Sequence, residues 1–151
     1  MKDIIKEALK EVQPKVEEIE KITSLKDKIL TKINRLEEIP FEPKVVGSVA
    51  KGTFLAGADI DIFLIFPKET NLKKEGLNLA KKILPEGKEL YAQHPYLRGE
   101  IDDTGIDLVP CFAIDKSNES VSAVDRTPFH TDWVISNING LENEVRLTKQ
   151  F

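Results

Sequence analysis

Two carboxylates spaced i, i+2, Asp59 and Asp61, stand at the head of the apolar run Ile62-Phe63-Leu64-Ile65-Phe66. Side chains alternate faces along a strand, so both acids project from one side. A run this apolar reads as a buried strand. Two acids side by side on such a strand repel each other unless positive charge sits between them. A hard divalent cation is the usual answer, because Mg²⁺ prefers carboxylate and phosphate oxygen. A third acid, Asp107, is the only charge inside the second apolar run Ile106-Asp107-Leu108-Val109-Pro110-Cys111-Phe112. If the two strands are neighbours, three carboxylates meet at one point, which is the ligand set of a two-metal phosphoryl-transfer site. Upstream, Gly47-Ser48 is followed by a short helical stretch, Ser48 to Thr53, with Ser48 expected at its N-cap. Free backbone amides at such a turn make a phosphate cradle, which Gly47 lets a ligand approach closely. Lys51, one turn on, can neutralise phosphate charge.

These residues need elements to position them. Apolar periodicity predicts a helix over 2–12 and a second opened by Pro14, carrying Val16, Ile19, Ile22, Leu25, Ile29, Ile33 and Leu36. Thr23-Ser24 leaves open whether that second helix is one rod or two. A first strand runs from Lys44 to Gly47, a second over 60–66, and a helix follows near 70–83. Three more strands are expected at about 88–93, 96–101 and 105–112, the last two joined by a hairpin turn Asp102-Asp103-Thr104-Gly105. Pro128 opens a helix near Thr127, Asn139-Gly140 breaks it, and a last helix starts around Leu141. The expected fold is α/β (α+β): a mixed sheet of about five strands flanked by helices, as one domain over 1–151. Within it, 1–39 form N-terminal helices, 40–115 the catalytic sheet and 120–151 the C-terminal helices.

The chain has 151 residues, 40% hydrophobic and 32% charged, which suits a globular domain with its own core. No apolar run approaches the ~18 residues that span a bilayer, so a membrane partner is not expected. The single cysteine, Cys111, reads as a buried core residue; it excludes an internal disulfide framework and fits the reducing cytoplasm. A net charge of −4 lacks the basic surplus of a nucleic-acid-binding domain acting alone. His94 has no His or Cys partner at zinc-ligand spacing. Arg126 is expected to pair with Asp125 or support the site, and Trp133 to sit in the core.

Gly47-Ser48, then Asp59-Ile60-Asp61, then Asp107 on a later strand resembles the signature of the nucleotidyltransferase superfamily that includes DNA polymerase beta. The wording is most similar to the archaeal type of CCA-adding tRNA nucleotidyltransferase. It is carried by Val46-Gly47-Ser48, Asp59 to Pro67, Gln93-His94-Pro95-Tyr96, Asp107-Leu108-Val109-Pro110-Cys111-Phe112, Ser122 to His130 and Glu142-Asn143-Glu144-Val145-Arg146-Leu147, over essentially the whole chain. The resemblance implies the polymerase beta-like catalytic head. It implies template-independent addition of C and A, from CTP and ATP, to the 3′ end of tRNA. Asp59, Asp61 and Asp107 would be the catalytic metal ligands for Mg²⁺ in a two-metal site. Gly47, Ser48, Lys51, His130 and Lys149 would bind the nucleotide. The family often has Arg at this position, and Lys51 keeps its charge but loses its bidentate geometry.

Archaeal CCA-adding enzymes are much longer, with further domains that complete the nucleotide pocket and hold the tRNA. A further nucleotide-contacting Tyr is expected shortly after Phe151, where the sequence stops without a C-cap. The expectation is therefore a catalytic head with weak tRNA affinity of its own, needing further domains or a partner chain. Two other readings stay open: a minimal stand-alone nucleotidyltransferase that modifies a protein or small acceptor, and a non-catalytic nucleotide-binding module of a split enzyme.

Overall fold

The computed structural model describes residues 2–37, 40–115 and 120–150, so the expectation placed on Phe151 lies outside the described residues. Helix α1 spans Lys2–Val12 and α2 spans Val16–Ile33. Strand β1 is Glu42–Val46, followed at once by the one-turn helix α3, Gly47–Ala50. Then come β2 (Ile60–Phe66), a π-helical turn (Leu72–Gly76), α4 (Leu77–Ile83), β3 (Lys88–Tyr91), β4 (Pro95–Ile101) and β5 (Thr104–Phe112). A 3-10 turn, Val124–Arg126, leads into α5 (Thr127–Asn137), and α6 is Glu142–Gln150.

The five strands form one mixed sheet in the order β1-β2-β5-β4-β3. The β2–β5 pair is parallel and the others are antiparallel. A parallel pair needs a long crossover, and here the crossover carries α4 and the β3–β4 hairpin.

The two sheet faces have different cargo. Ile60, Ile62, Leu64 and Phe66 of β2 and Ile106 and Leu108 of β5 point to one face, where they pack with α2 and α4 through Ile22, Leu25, Ile29, Ile33, Leu79, Ala80 and Ile83. The other face holds a smaller cluster of Val46, Phe63 and Cys111, flanked by Ile65, Val109 and Val124. Asp61 and Asp107 share the parity of Phe63 and Cys111, so the acids lie on the face away from α2 and α4. Burial of the larger face anchors the sheet, and the smaller leaves one end of the strands open to solvent.

Several boundaries differ from the expected ones. α2 runs unbroken through Thr23-Ser24, with Glu18 accepting from the Lys15 N–H at its start (3.0 Å). Helix 70–83 divides into the π-turn and α4, with Asn71 Oδ1 capping Lys74 N. Ser48 is not the N-cap of α3: that place belongs to Val46, and Ser48 lies inside the turn. Trp133 is 60% exposed, so it is not core; α5 has apolar residues on several sides and buries only Pro128 and Thr131. Cys111 is fully buried, and burial followed by the Asp125 charge pushes its thiol up to about 12. Among the described residues, no helix is long and apolar enough to cross a membrane.

Candidate active site

Strand register builds the site. Asp61 on β2 lies directly beside Asp107 on β5 in the parallel pair, and Asp59 precedes β2 by one residue. On the far side of β5, Arg98 of β4 lies opposite Asp107. Its guanidinium donates to Asp59 Oδ2 (2.6 Å) and Asp107 Oδ2 (3.1 Å). Sequence reasoning missed Arg98 altogether.

One guanidinium does not balance three carboxylates. Asp107 Oδ1 is buried without a hydrogen-bond partner. Burial, and then the charges of Asp107 and Asp59, push the Asp61 carboxyl up to about 6, against smaller opposing effects from Arg98 and Lys51. Burial also raises Asp107, with Arg98 pulling the other way. Hydrogen bonding to Asp59 raises the Arg98 guanidinium further, so it stays charged. With Arg98 set between Asp59 and Asp107, no group of three or more His, Cys, Asp or Glu among the described residues is gathered as a metal cage.

Two glycines make room for the acids. Gly47 has φ +70, and a Cβ built on it would lie 2.3 Å from Asp61 Oδ2. A Cβ on Gly105 would lie 2.3 Å from Asp59 Oδ1. Gly105 is in β5, not in the hairpin turn: the turn is Asp102-Asp103 alone, both left-handed with φ 50 and 58.

Lys51 stands near the acids, and two further basic residues gather on the loop that follows it. Lys51 follows α3 closely enough for its charge to act on both Asp61 and Lys149. Lys149 donates to Thr53 O and Thr53 Oγ1, both at 3.1 Å. Burial, then Lys51 and Arg146, lower its ammonium. Arg146, a second residue whose role the sequence did not reveal, donates to Gly52 O, Phe54 O (3.1 Å) and Asn143 Oδ1 (2.8 Å). It ties α6 to the loop leaving α3. His130 stacks on Trp133 with ring centroids 6.5 Å apart. Both line an open cleft of about 390 Å³ with Arg126 and Phe129.

A buried polar knot supports the wall of this face. Asp125 accepts from Phe112 N and Ser122 N (both 2.9 Å) and meets His94 Nε2 at 3.2 Å. Asp125 therefore faces inward to His94 and the backbone, and Arg126 is exposed on the cleft; of the two roles expected for Arg126, the pair with Asp125 is not formed. Ser122 Oγ also meets His94 Nε2, at 2.9 Å.

The sequence pattern of the nucleotidyltransferase domain matches residues 26–130. The chain belongs to the nucleotidyltransferase domain family. It is 39% identical over 155 residues to a CCA-adding enzyme of Archaeoglobus fulgidus, covering 100% of this chain and 35% of that protein. It is 41% identical over 150 residues to the CCA-adding enzyme of Thermoplasma volcanium, covering 95% of this chain and 34% of that protein. The chain thus spans about a third of the length of these relatives, matching their N-terminal part. In three dimensions it resembles the Cid1 poly(U) polymerase, with TM-score 0.74 and 16% identity over 97% of this chain and 46% of that one. The shared fold is that of this nucleotidyltransferase family.

Proposed function

We propose that this chain is the catalytic head of a CCA-adding tRNA nucleotidyltransferase, a cytoplasmic enzyme that extends the tRNA 3′ end with C and A from CTP and ATP. The observation that carries the reading is the Asp61–Asp107 register, with Asp59 alongside and Asp107 Oδ1 left without a partner. That donor set fits a hard cation: all its atoms are carboxylate oxygens, one is buried and unpaired, and the missing side chain at Gly47 leaves room for the Asp61 carboxylate itself. Asp59, Asp61 and Asp107 would hold Mg²⁺, as a two-metal site. When bound, Mg²⁺ supplies Lewis-acid charge for the oxygens of the transferring phosphate.

The chain's own residues do the rest. Gly47 and Ser48 offer backbone amides, and Ser48 its hydroxyl, to the β- and γ-phosphates. Lys51 and Lys149 neutralise phosphate charge, and His130 contacts the nucleotide from α5. Asp107, made more basic by burial, orients the RNA 3′-hydroxyl or takes its proton as a general base. The O3′–Pα bond forms as the Pα–O bond to pyrophosphate breaks, and the positioned acids keep the reacting groups in line. With a net charge of −4, most of the tRNA grip falls to other domains or a partner chain.

Incubation with labelled CTP or ATP, Mg²⁺ and tRNA lacking its CCA end tests this reading. Label in the RNA supports it. Label in the chain itself points to a protein-modifying nucleotidyltransferase, and no transfer despite nucleotide binding points to a binding module.

A further inference from the structure

Arg98 is a site cation that hydrogen-bonds two of the acids proposed to hold metal. It stands on β4 opposite Asp107, reaches across to Asp59, and is itself 44% exposed at the side chain. Its two hydrogen bonds take one oxygen of each acid. The bridge places positive charge where a cation shared by Asp59 and Asp107 would have to sit. A monovalent guanidinium also leaves Asp107 Oδ1 orphaned.

We propose that Arg98 is a built-in counter-ion of the acid trio. It holds Asp59 and Asp107 together when no metal is bound and must swing outward before a divalent cation can enter. The inference rests on the metal-site reading above and deepens it. Two features make the exchange feasible. The guanidinium is nearly half exposed, so water can replace its two bonds when it leaves. A dication has twice the charge of Arg98 and can meet oxygens that the planar guanidinium does not reach, so it wins once present at sufficient concentration. Because the Arg98–Asp59 contact is solvent-accessible, its contribution is modest, which suits a place-holder that is displaced reversibly.

The test is Mn²⁺ binding to the metal-free chain by calorimetry or electron paramagnetic resonance, comparing wild type with Arg98→Ala. The expected result is affinity about tenfold tighter in Arg98→Ala, since the competing charge is gone. Its melting temperature without metal should be lower, and its gain on adding Mn²⁺ larger. Arg98→Gln, which keeps most of the side-chain length without the charge, must shift affinity in the same direction and serves if the alanine variant does not fold. Equal or weaker Mn²⁺ binding in a folded variant, with wild type binding Mn²⁺, overturns this inference and leaves the metal site standing. No Mn²⁺ binding by either chain overturns both.

Discussion

Gly105 lies directly beneath Asp59, and any side chain there would enter the space held by the Asp59 carboxylate, 2.3 Å from Oδ1. The Gly105 backbone is ordinary strand, so alanine meets no conformational penalty of its own. The atom it would strike is the end of a mobile side chain, so Asp59 is displaced and the fold is spared. Gly105→Ala should therefore change stability by less than about 1 kcal/mol. It should cut nucleotidyl transfer about 100-fold, the scale on which a 1 Å misplacement acts. Melting curves and single-turnover rates measure the two; transfer within threefold of wild type would sink the idea.

Gly47 makes the same 2.3 Å approach to Asp61 Oδ2 but at φ +70. Here alanine brings backbone strain as well, of about 1 kcal/mol or more. Gly47→Ala should lose both stability and transfer, and a fully stable Gly47→Ala chain would show that the strain is relieved elsewhere.

Asp61 gives the site a pH signature. Its carboxyl is raised from 3.8 to about 6, burial being the largest cause. The native chain therefore binds more protons than the unfolded one between those values, and its stability falls as pH rises through that window. Asp61→Asn removes the ionisation. In chelator, the variant should be more stable than wild type above pH 6, by about 1 kcal/mol once solvent screening is allowed for, and the difference should vanish below 3.8. Thermal melts across that range read the effect. A variant that is less stable at neutral pH would contradict it.

Much of this site is legible in sequence, and the part that is not comes down to one turn. The apolar run after Asp59 announced β2 because alternation and burial act together there. A second such run announced the strand carrying Asp107, but that it lies beside Asp61 rested on the two strands being neighbours, which the run alone does not decide. A four-residue turn at Asp102-Asp103-Thr104-Gly105 would set Asp107 opposite Glu100 and leave Arg98 out of register with it. The real turn is Asp102-Asp103, with both residues left-handed, a conformation that Asp tolerates better than most side chains. Ile101 then faces Thr104 and Arg98 faces Asp107. Asp-Asp lacks the glycine that normally marks such a turn, so both Arg98 and the packing role of Gly105 were hidden. Trp133 escaped for another reason: α5 has no single apolar stripe, and size alone does not decide which side of it is covered.

Asp125 should matter as a hydrogen-bond acceptor and not merely as a charge. Each of its oxygens accepts from a backbone N–H, Oδ1 from Phe112 and Oδ2 from Ser122. Alanine strands both donors in a buried place, at about 3 kcal/mol. Asparagine can satisfy only one, because its amide would face the other donor. Asp125→Asn should therefore destabilise nearly as much as Asp125→Ala in denaturant unfolding. A neutral Asp125→Asn would show that one accepted backbone bond is enough and would overturn the two-acceptor account.

Arg146 and Lys149 sit one turn apart on α6 and reach the same loop, yet they should fail in different ways. Arg146 caps Gly52 O and Phe54 O, so it fastens α6 to the loop behind α3. Arg146→Met frees both carbonyls and should cost about 1–2 kcal/mol of stability. Lys149 spends its ammonium on Thr53, beside Lys51 and Arg146, where burial first and then neighbouring positive charge weaken its hold on the proton. A triphosphate would relieve that repulsion, so Lys149→Met should leave the melting temperature nearly unchanged and weaken CTP and ATP binding about tenfold. Calorimetric titration of each variant with nucleotide, set beside its melting curve, separates the fastener from the ligand. Unaltered nucleotide affinity in Lys149→Met would remove Lys149 from the binding site and leave the cationic cluster a structural one.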